Sequence, residues 1–372
     1  MKIIFMPASQ IGNSGDQLIN LATLTNVRKH GVVVINDANT PEWFIEGIGA
    51  KDDERFSRYR SGRFYSSFMH LLISNKFCGP EEKYSLIIPP GHSSRRGVKE
   101  AMTAASWYVK LGIFKALGCK VIRAGFSIGP FDRLNALVES FGSRCFSYYG
   151  LRDNESMSIA SKYRFRNVSY FPDLAWSFKP IRFNGSAEFP TDVVVSFRSN
   201  AYGTNHDAEY LAPIQNSLIR LVKETSLAGG AVKVCYQVES DAEAARQLCC
   251  ALSDAGLNSS LIDHKLTISE AVAVYGSARV VISNRLHVLL LAAQSGTLPI
   301  PLANGNDNVK ITSILRDNDL SDLILNLDND VSENVFQLAE LLGKRDALLE
   351  KIGNISDRNK VLIEALFRKV FL

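Results

Sequence analysis

The sequence predicts an α/β protein with two domains, each built around a parallel β-sheet. Short runs rich in β-branched residues alternate with longer stretches of helical apolar spacing, which is the pattern of βαβ units. The alternation breaks once, at residues 178–191, where two prolines and a glycine interrupt any period and indicate a linker. The length of 372 residues suits two domains of ordinary size.

The first half of the chain contains four β-branched runs. Valine and isoleucine fit a pleated, buried surface, so we expect strands at KIIFM (2–6), VVVIN (32–36), SLIIP (85–89) and KVIRA (120–124). Between and after these runs, apolar residues recur every three or four positions. This spacing predicts helices over 16–30, 101–117, 131–142 and 153–163. Together these elements predict a first domain over residues 1–180.

The second half repeats the pattern. Strands are expected at DVVVSF (192–197), VKVCYQV (232–238), RVVIS (279–283) and LPIPL (298–302). Helices are expected over 207–226, 240–255, 267–276, 286–296 and 332–352. We therefore predict a second domain over residues 190–350, followed by a C-terminal helix over 351–372 that packs back on the first domain.

Composition excludes several classes of protein. Apolar residues make up 46% and charged residues 22% of the chain, which excludes a disordered or fibrous protein. The net charge of +4 is too small for a dedicated nucleic-acid binder, so no nucleic-acid partner is expected. We see no signal peptide and no apolar run near the roughly 18 residues of a spanning helix, which predicts a cytoplasmic protein. The six cysteines lack metal-ligand spacing, so no metal site is expected.

One segment, ERFSRYRSGRFYSS (54–67), interleaves four arginines with four aromatic residues. Most charge runs are solvated surface. Arginine beside aromatic rings also suits stacking on sugars or contact with lipid pyrophosphate. The segment is the expected place of any peripheral contact with the inner membrane surface.

Polar residues after the expected strand ends are the candidates for a ligand site, because ligands of open α/β sheets bind there. After the first strand, Asn13 or Asp16 can cap the next helix, or Asp16 can act as an acid, a base or an acceptor for a sugar hydroxyl. After the third, Gly91, His92 and Ser93 form either a polar surface loop or part of an anion or sugar site.

Two arginines and a histidine are the strongest candidates in the second half. Arg198 ends an apolar run, where its permanent charge needs either a structural carboxylate partner or an anionic ligand. Arg285 and His287 lie between an expected strand and an expected helix, at a helix N-terminus that attracts anions. A lone histidine there is usually a hydrogen-bonded core residue, but Arg285 beside it favours a site with a proton-exchanging group. Lys310 opens a later helix and can point back to the same edge.

Several stretches resemble the ordered motifs of the polysaccharide pyruvyl transferase family. They are GNSGDQL (12–18), GFSIGPF (125–131), LRDNESMSIA (151–160), FPDLAWSF (171–178), VVVSFR (193–198) and ISNRLHVLLLAAQSGTLPI (282–300). The resemblance runs from residue 1 to about residue 315, and the last motif is the most specific. One departure is IIPPGHSSRR (87–96), where many relatives carry a run of glycines.

The resemblance implies two Rossmann-like domains in the glycosyltransferase B architecture, with the active site in the cleft between them. It implies phosphoenolpyruvate as donor and a sugar diol of a cell-surface polysaccharide precursor, free or lipid-linked, as acceptor. The product would be a cyclic pyruvate ketal, and phosphate would be released without a cofactor. A nucleotide-sugar-dependent glycosyltransferase of similar fold is the alternative, and a non-catalytic glycan-binding protein is a further one.

Within that scheme, each candidate residue takes a role. His287 is expected to donate the proton, Arg285 to stabilise the leaving phosphate, and Asp16 to orient or deprotonate the acceptor hydroxyl. The expected donor-binding residues are Arg198, Arg285, Leu286 and Lys310. The expected acceptor-binding residues are Asn13, Gly91, His92 and Ser93.

Overall fold

The computed structural model describes residues 1–7, 12–59, 63–78, 82–180, 193–198, 208–305 and 308–372. Its contacts divide the chain into two compact units. The first unit consists of Met1–Ile11, Asp16–Leu174 and Asn359–Leu372, and the second of Gly12–Gly15 and Ala175–Arg358. The division comes earlier than the expected end of the first domain at residue 180, and the short segment 12–15 belongs with the second unit rather than the first.

A parallel sheet forms the centre of the first unit. Its strands are β1 (Lys2–Phe5), β2 (Val32–Ile35), β3 (Tyr84–Ile88), β4 (Gly91–Arg95), β5 (Lys120–Phe131), β6 (Tyr148–Leu151) and β7 (Val168–Tyr170). The order is β2-β1-β3-β5-β6-β7, with β4 beside the far half of β5. The helices are α1 (Ser14–Val27), α2 (Glu42–Gly47), α3 (Phe64–Cys78), α4 (Val98–Ala116), α5 (Arg133–Ser143) and α6 (Asn154–Lys162).

The second unit also has a parallel sheet. Its strands are β8 (Val193–Ser196), β9 (Val232–Tyr236), β10 (Ser259–Lys265), β11 (Val280–Ser283), β12 (Leu298–Ala303) and β13 (Leu325–Asn326), in the order β10-β9-β8-β11-β12-β13. The helices are α7 (Ala208–Lys223), α8 (Ala242–Asp254), α9 (Ile268–Gly276), α10 (Leu286–Gln294), α11 (Val309–Asp317), α12 (Val331–Gly343) and α13 (Arg345–Phe371). The expected class of two parallel-sheet α/β domains is confirmed.

The segment expected as a polar loop after β3 is a strand instead. Residues of β4 pair with β5 from Gly91 opposite Phe126 to Arg95 opposite Phe131. This pairing forms because β5 continues past the end of β3 and offers its backbone groups to a second neighbour. Arg95 pairs with the buried carboxylate of Glu139, so this cation has a structural partner.

The arginine-rich segment 54–67 is partly buried: Tyr59 is 61% exposed, whereas two of its other aromatic side chains lie in the core. Phe56 and Phe64 are buried and contact each other edge to face at 5.0 Å between ring centroids. Arg55 pairs with Glu42 at 2.6 Å. Residues 60–62 lie outside the described residues. The aromatic side chains at 56 and 64 therefore belong to the core and are not available to stack on a sugar or contact a lipid.

The C-terminal helix α13 is longer than expected and begins at Arg345 rather than at residue 351. Its last part, from Asn359, belongs to the first unit. Lys29 pairs with Glu364 at 2.9 Å, and the ring of His30 stacks on Phe371 at 5.0 Å. These contacts tie the end of the chain to the start of the first unit.

Candidate functional site

The central strands of the second sheet are β8 and β11, and the chain leaves them in opposite directions. From β8 the chain proceeds outward to β9 and β10, and from β11 it proceeds outward to β12 and β13. Such a switch point leaves a crevice at the carboxyl ends of the strands, where open α/β sheets bind ligands. Arg198 and Arg285 each lie two residues after the end of one of these strands.

A serine hydroxyl ties the ends of the two central strands together. The Ser283 side chain donates a hydrogen bond to the carbonyl of Ser196, its register partner. The same hydroxyl accepts from the backbone N–H of Arg285 at 3.0 Å. Both serines are buried. The backbone at Arg285 is therefore held to the end of β8.

Asn284 makes a second tie, which the sequence analysis did not identify. Its Oδ1 accepts a hydrogen bond from the backbone N–H of Arg198 at 2.8 Å, and its Nδ2 donates to the hydroxyl of Tyr210 at 3.0 Å. Asn284 is fully buried, so losing either bond would expose an unsatisfied polar group to the core. The only sequence signal was an amide directly after an apolar run. The first of these hydrogen bonds holds the backbone at Arg198 to the residue that precedes Arg285.

Arg285 has a carboxylate partner, Asp241, which the sequence analysis also missed. Asp241 ends a short 3-10 helix that follows β9, and Arg285 Nη2 pairs with its Oδ2. The Asp241 side chain is 2% exposed, whereas that of Arg285 is 17% exposed. A guanidinium has five N–H donors, so one ion pair orients it without using all of them. The structural ion pair and an anion-binding role are therefore compatible at Arg285.

Tyr275 lies in the same region and is fully buried. Burial raises its pKa well above the ordinary value, and the charge of Arg285 acts in the opposite direction. Its hydroxyl accepts a hydrogen bond from Gln237 Nε2 at 3.1 Å. Tyr275 is thus a neutral hydroxyl at working pH and adds no negative charge beside Arg285.

His287 lies in the first turn of α10 and is half-buried. The helix is apolar on most of its surface, and its residues from Val288 to Ala292 are all buried. Arg285, which precedes the helix, forms no side-chain hydrogen bond to cap it. The N-terminus of α10 therefore begins beside one cation and carries a histidine, which is a suitable setting for an anion.

The glycine-rich segment 12–15 packs against this region within the second unit. The Ser14 backbone N–H donates to the Gln237 carbonyl at 3.1 Å, and its hydroxyl donates to the Leu266 carbonyl at 2.6 Å. A Cβ atom at Gly15 would lie 2.6 Å from Nδ1 of His287. Gly15 therefore lets the backbone approach the imidazole more closely than any other residue would.

Asn13 takes the helix-capping role that was one of its two expected interpretations. Its Oδ1 accepts a hydrogen bond from the backbone N–H of Gly15 at 2.8 Å, at the start of α1. Asn13 also forms an isolated antiparallel bridge with Val238. The expected alternative cap, Asp16, lies one turn further in the helix, is buried and belongs to the first unit.

The other predicted residues lie elsewhere in the two units. Lys310 is half-exposed in the first turn of α11, which follows β12, the neighbour of β11. Gly91, His92 and Ser93 lie on β4 of the first unit, where Ser93 is buried and His92 is exposed. Within the described ranges, no three or more His, Cys, Asp or Glu side chains cluster as metal ligands would.

Comparison with known proteins identifies a family and a fold. The family model described as polysaccharide pyruvyl transferase matches residues 13–306. A comparison with curated proteins found no match. Solved structures of low identity have a similar fold. Anabaena Alr3699/HepE in complex with UDP and glucose is 10% identical, with a TM-score of 0.60 over 99% of this chain and 97% of that one.

Two further structures agree on the fold. The Neisseria meningitidis UDP-GlcNAc 2-epimerase bound to UDP-GlcNAc is 10% identical, with a TM-score of 0.53 over 99% of this chain and all of the epimerase. A mutant of the Thermobaculum terrenum O-GlcNAc transferase is 14% identical, with a TM-score of 0.55 over 100% of this chain and 66% of that protein's length. The chain therefore has the fold of the glycosyltransferase B enzymes and related epimerases. None of its described helices is long and apolar enough to cross a bilayer.

Proposed function

Because the chain belongs to the polysaccharide pyruvyl transferase family, we propose that it transfers the enolpyruvyl group of phosphoenolpyruvate to two hydroxyls of a sugar in a cell-surface polysaccharide precursor. The two products are a cyclic pyruvate ketal and phosphate. The observation that carries this proposal is the pair of arginines at the tied ends of β8 and β11, beside the N-terminus of α10.

The donor matches this arrangement in charge. Phosphoenolpyruvate carries a carboxylate and a phosphate on one three-carbon frame, so its site needs several cations and N–H donors close together. Arg198 and Arg285 supply the guanidinium groups, and the first N–H groups of α10, starting at Leu286, supply the helix donors. Lys310 on the next helix is a further cation for the same anion.

His287 supplies the proton in this proposal. Protonation of the methylene carbon C3 turns it into a methyl group and makes C2 electrophilic, and an acceptor hydroxyl then adds to C2. The C2–O bond to phosphate breaks with its electron pair on the phosphate oxygen, and Arg285 stabilises that charge. The second hydroxyl closes the ketal. Of the two hydroxyl protons, one replaces the proton that His287 gave to C3 and the other leaves with phosphate, so the reaction balances without a cofactor.

The first unit supplies the acceptor side in this proposal. Asp16 is the candidate to orient the attacking hydroxyl or to take its proton. Gly91, His92 and Ser93 on β4 are the candidates in this unit for contacts with the sugar, and Asn13, at the start of α1 but in the second unit, is a further candidate. Of these three strand residues, His92 is exposed and Ser93 is buried.

The test separates donor binding from transfer. Calorimetric titration with phosphoenolpyruvate alone measures donor affinity. Incubation with phosphoenolpyruvate and a panel of methyl pyranosides that carry unprotected 4- and 6-hydroxyls measures phosphate release, and mass spectrometry detects addition of pyruvic acid less one water. We expect wild-type protein to bind the donor and to modify at least one member of the panel.

His287→Ala should abolish phosphate release, a loss of about 100-fold or more, while donor binding and the melting temperature stay close to wild type. Arg285→Lys should weaken donor binding, because a point charge does not reproduce the planar fork. Full activity of His287→Ala would contradict its role as proton donor. Release of UDP from a UDP-sugar, with no binding of phosphoenolpyruvate, would support the alternative of a nucleotide-sugar-dependent glycosyltransferase, which is the chemistry suggested by the UDP complexes of similar fold.

A further inference from the structure

The outward surface of α4 carries a row of exposed apolar side chains. Val98, Met102, Val109 and Ile113 follow one another at intervals of about one or two helical turns, and all four are exposed. Met102 is 69% exposed and Val109 is 64% exposed. This is the spacing of an amphipathic stripe, which a surface helix normally turns toward the core. On α4 the buried stripe lies on a different face, through residues such as Ala104 and Leu111.

Helix α5 continues the apolar surface beside α4. Leu134, Leu137 and Phe141 lie on one face of α5 and are all exposed, Phe141 by 64%. The two helices pack directly together, because a side chain on Gly142 of α5 would collide with the ring of Tyr108 on α4. We call the surface formed by Val98, Met102, Val109, Leu134, Leu137 and Phe141 the α4–α5 face.

Cations surround this face. The exposed charged side chains of α4, α5 and the residues that flank them are five cations and one acid: Arg96, Lys99, Lys110, Arg133, Arg144 and Glu100. A second acid, Asp132, is half-exposed and accepts hydrogen bonds from the backbone N–H groups of Gly97 and Asn135. The Arg144 guanidinium lies 5.0 Å from the centroid of the Phe141 ring. The buried acid of the same region, Glu139, is paired with Arg95 and contributes no surface charge. The face is thus apolar at its centre and positive at its edge.

The charge distribution of the α4–α5 face favours one of two binding partners, a second copy of the chain or a lipid surface. A second copy bound through the same face would bring two sets of cations together, which opposes association. An anionic lipid surface is complementary, because aliphatic and aromatic side chains enter the headgroup region while lysine and arginine meet lipid phosphates. We propose that the α4–α5 face is a membrane-docking surface that binds anionic phospholipid bilayers peripherally.

This proposal moves the expected membrane contact from residues 54–67 to a different part of the first unit. In the earlier segment Phe56 and Phe64 are buried, so they cannot enter a bilayer. The α4–α5 face presents its apolar side chains outward instead. The proposal is independent of the transferase chemistry, since it uses none of the residues assigned to donor or acceptor.

The test is flotation of the full chain with vesicles of phosphatidylglycerol and phosphatidylcholine, compared with vesicles of phosphatidylcholine alone. The apolar variant Met102→Ser/Phe141→Ser should bind the anionic vesicles about 20-fold more weakly. In the charge variant Lys99→Glu/Arg133→Glu, the affinity for anionic vesicles should fall about fivefold per cation removed. Added salt should weaken wild-type binding. The matched control is Phe336→Ser/Val361→Ser, which removes two apolar side chains that are 75% and 66% exposed outside the face.

Every variant changes exposed side chains, and melting curves verify that each is folded. Salt-sensitive binding of the wild type and the control, with loss in both face variants, would support the proposal. No binding of wild type to anionic vesicles, or equal binding by the apolar variant, would overturn it. A dimer in sedimentation equilibrium that the apolar variant abolishes would overturn it as well, because the occupant would then be a second copy.

Discussion

A methyl group on Gly15 has no room, because it would lie 2.6 Å from Nδ1 and 2.9 Å from Cβ of His287. Ordinary van der Waals contact begins at 3.4 Å, so the imidazole has to move by at least about 0.8 Å. The neighbouring Asn13 Oδ1, 3.0 Å from the same position, blocks retreat of the methyl group on that side. Gly15→Ala therefore displaces the predicted proton donor without altering its chemistry.

We expect Gly15→Ala to slow the chemical step. A misplacement of about 1 Å at a reacting group lowers rates by about 100-fold, so we expect kcat for phosphate release to fall by about that factor. The fold should tolerate the change, since Gly15 lies inside α1 and alanine is the better helix former by about 1 kcal/mol. Donor affinity should change much less than kcat, because the arginines are held by other contacts.

The assay is phosphate release with phosphoenolpyruvate and acceptor, together with a melting curve and donor titration for each variant. Gly12→Ala is the matched control, since a Cβ atom there meets nothing within 4 Å. We expect near wild-type kcat for Gly12→Ala. Wild-type kcat for a folded Gly15→Ala protein would refute the argument that the imidazole of His287 must occupy its present position.

Three more predictions concern buried groups. Asn284→Ala should raise the Kd for phosphoenolpyruvate about tenfold, because it releases the backbone of the arginine after β8; a lower melting temperature with unchanged Kd would show a structural role alone. Asp173→Ala should lower the free energy of unfolding, measured by urea titration, by about 3–5 kcal/mol, because it leaves the buried guanidinium of Arg152 without its carboxylate partner. Glu224→Ala, which breaks an exposed pair with Arg220, should leave the urea midpoint close to that of the wild type, and an equal loss in both variants would contradict this reasoning. Burial raises the pKa of Cys235 to about 12, so about one thiol in ten thousand is ionised at pH 8, and iodoacetamide should label the exposed Cys250 first in the folded protein; equal labelling rates would contradict this.

Much of the fold could be predicted from sequence because its signals are local. The expected runs at 2–6, 32–36 and 279–283 are strands, since β-branched residues in a short apolar run favour a buried strand in any context. Strand β10 was missed because SSLIDHK is polar and lies at the edge of its sheet. Strand β4 was missed because it pairs with the second half of β5, which lies beyond the strand expected over 120–124.

Some residues of the candidate site were identified from the sequence and others were not. Arg285 and His287 were identified because strand end, turn and helix start are consecutive in sequence, and a cation at that junction is conspicuous. Asp241 and Asn284 were not identified. A carboxylate and an amide are common near strand ends, and their partners, Arg285 and Arg198, are remote from them in sequence.

The sequence by itself determined the alternation of strands and helices, the family motifs, and the cation and histidine at the start of α10. The tertiary structure alone decided three things: that Asn13 and Gly15 pack on the second unit, that Asp241 pairs with Arg285, and that apolar side chains of the neighbouring helices α4 and α5 are exposed. Secondary structure depends on side-chain preferences within a few residues. Pairing and exposure depend on which distant segments the sheets bring together, and no local preference encodes that.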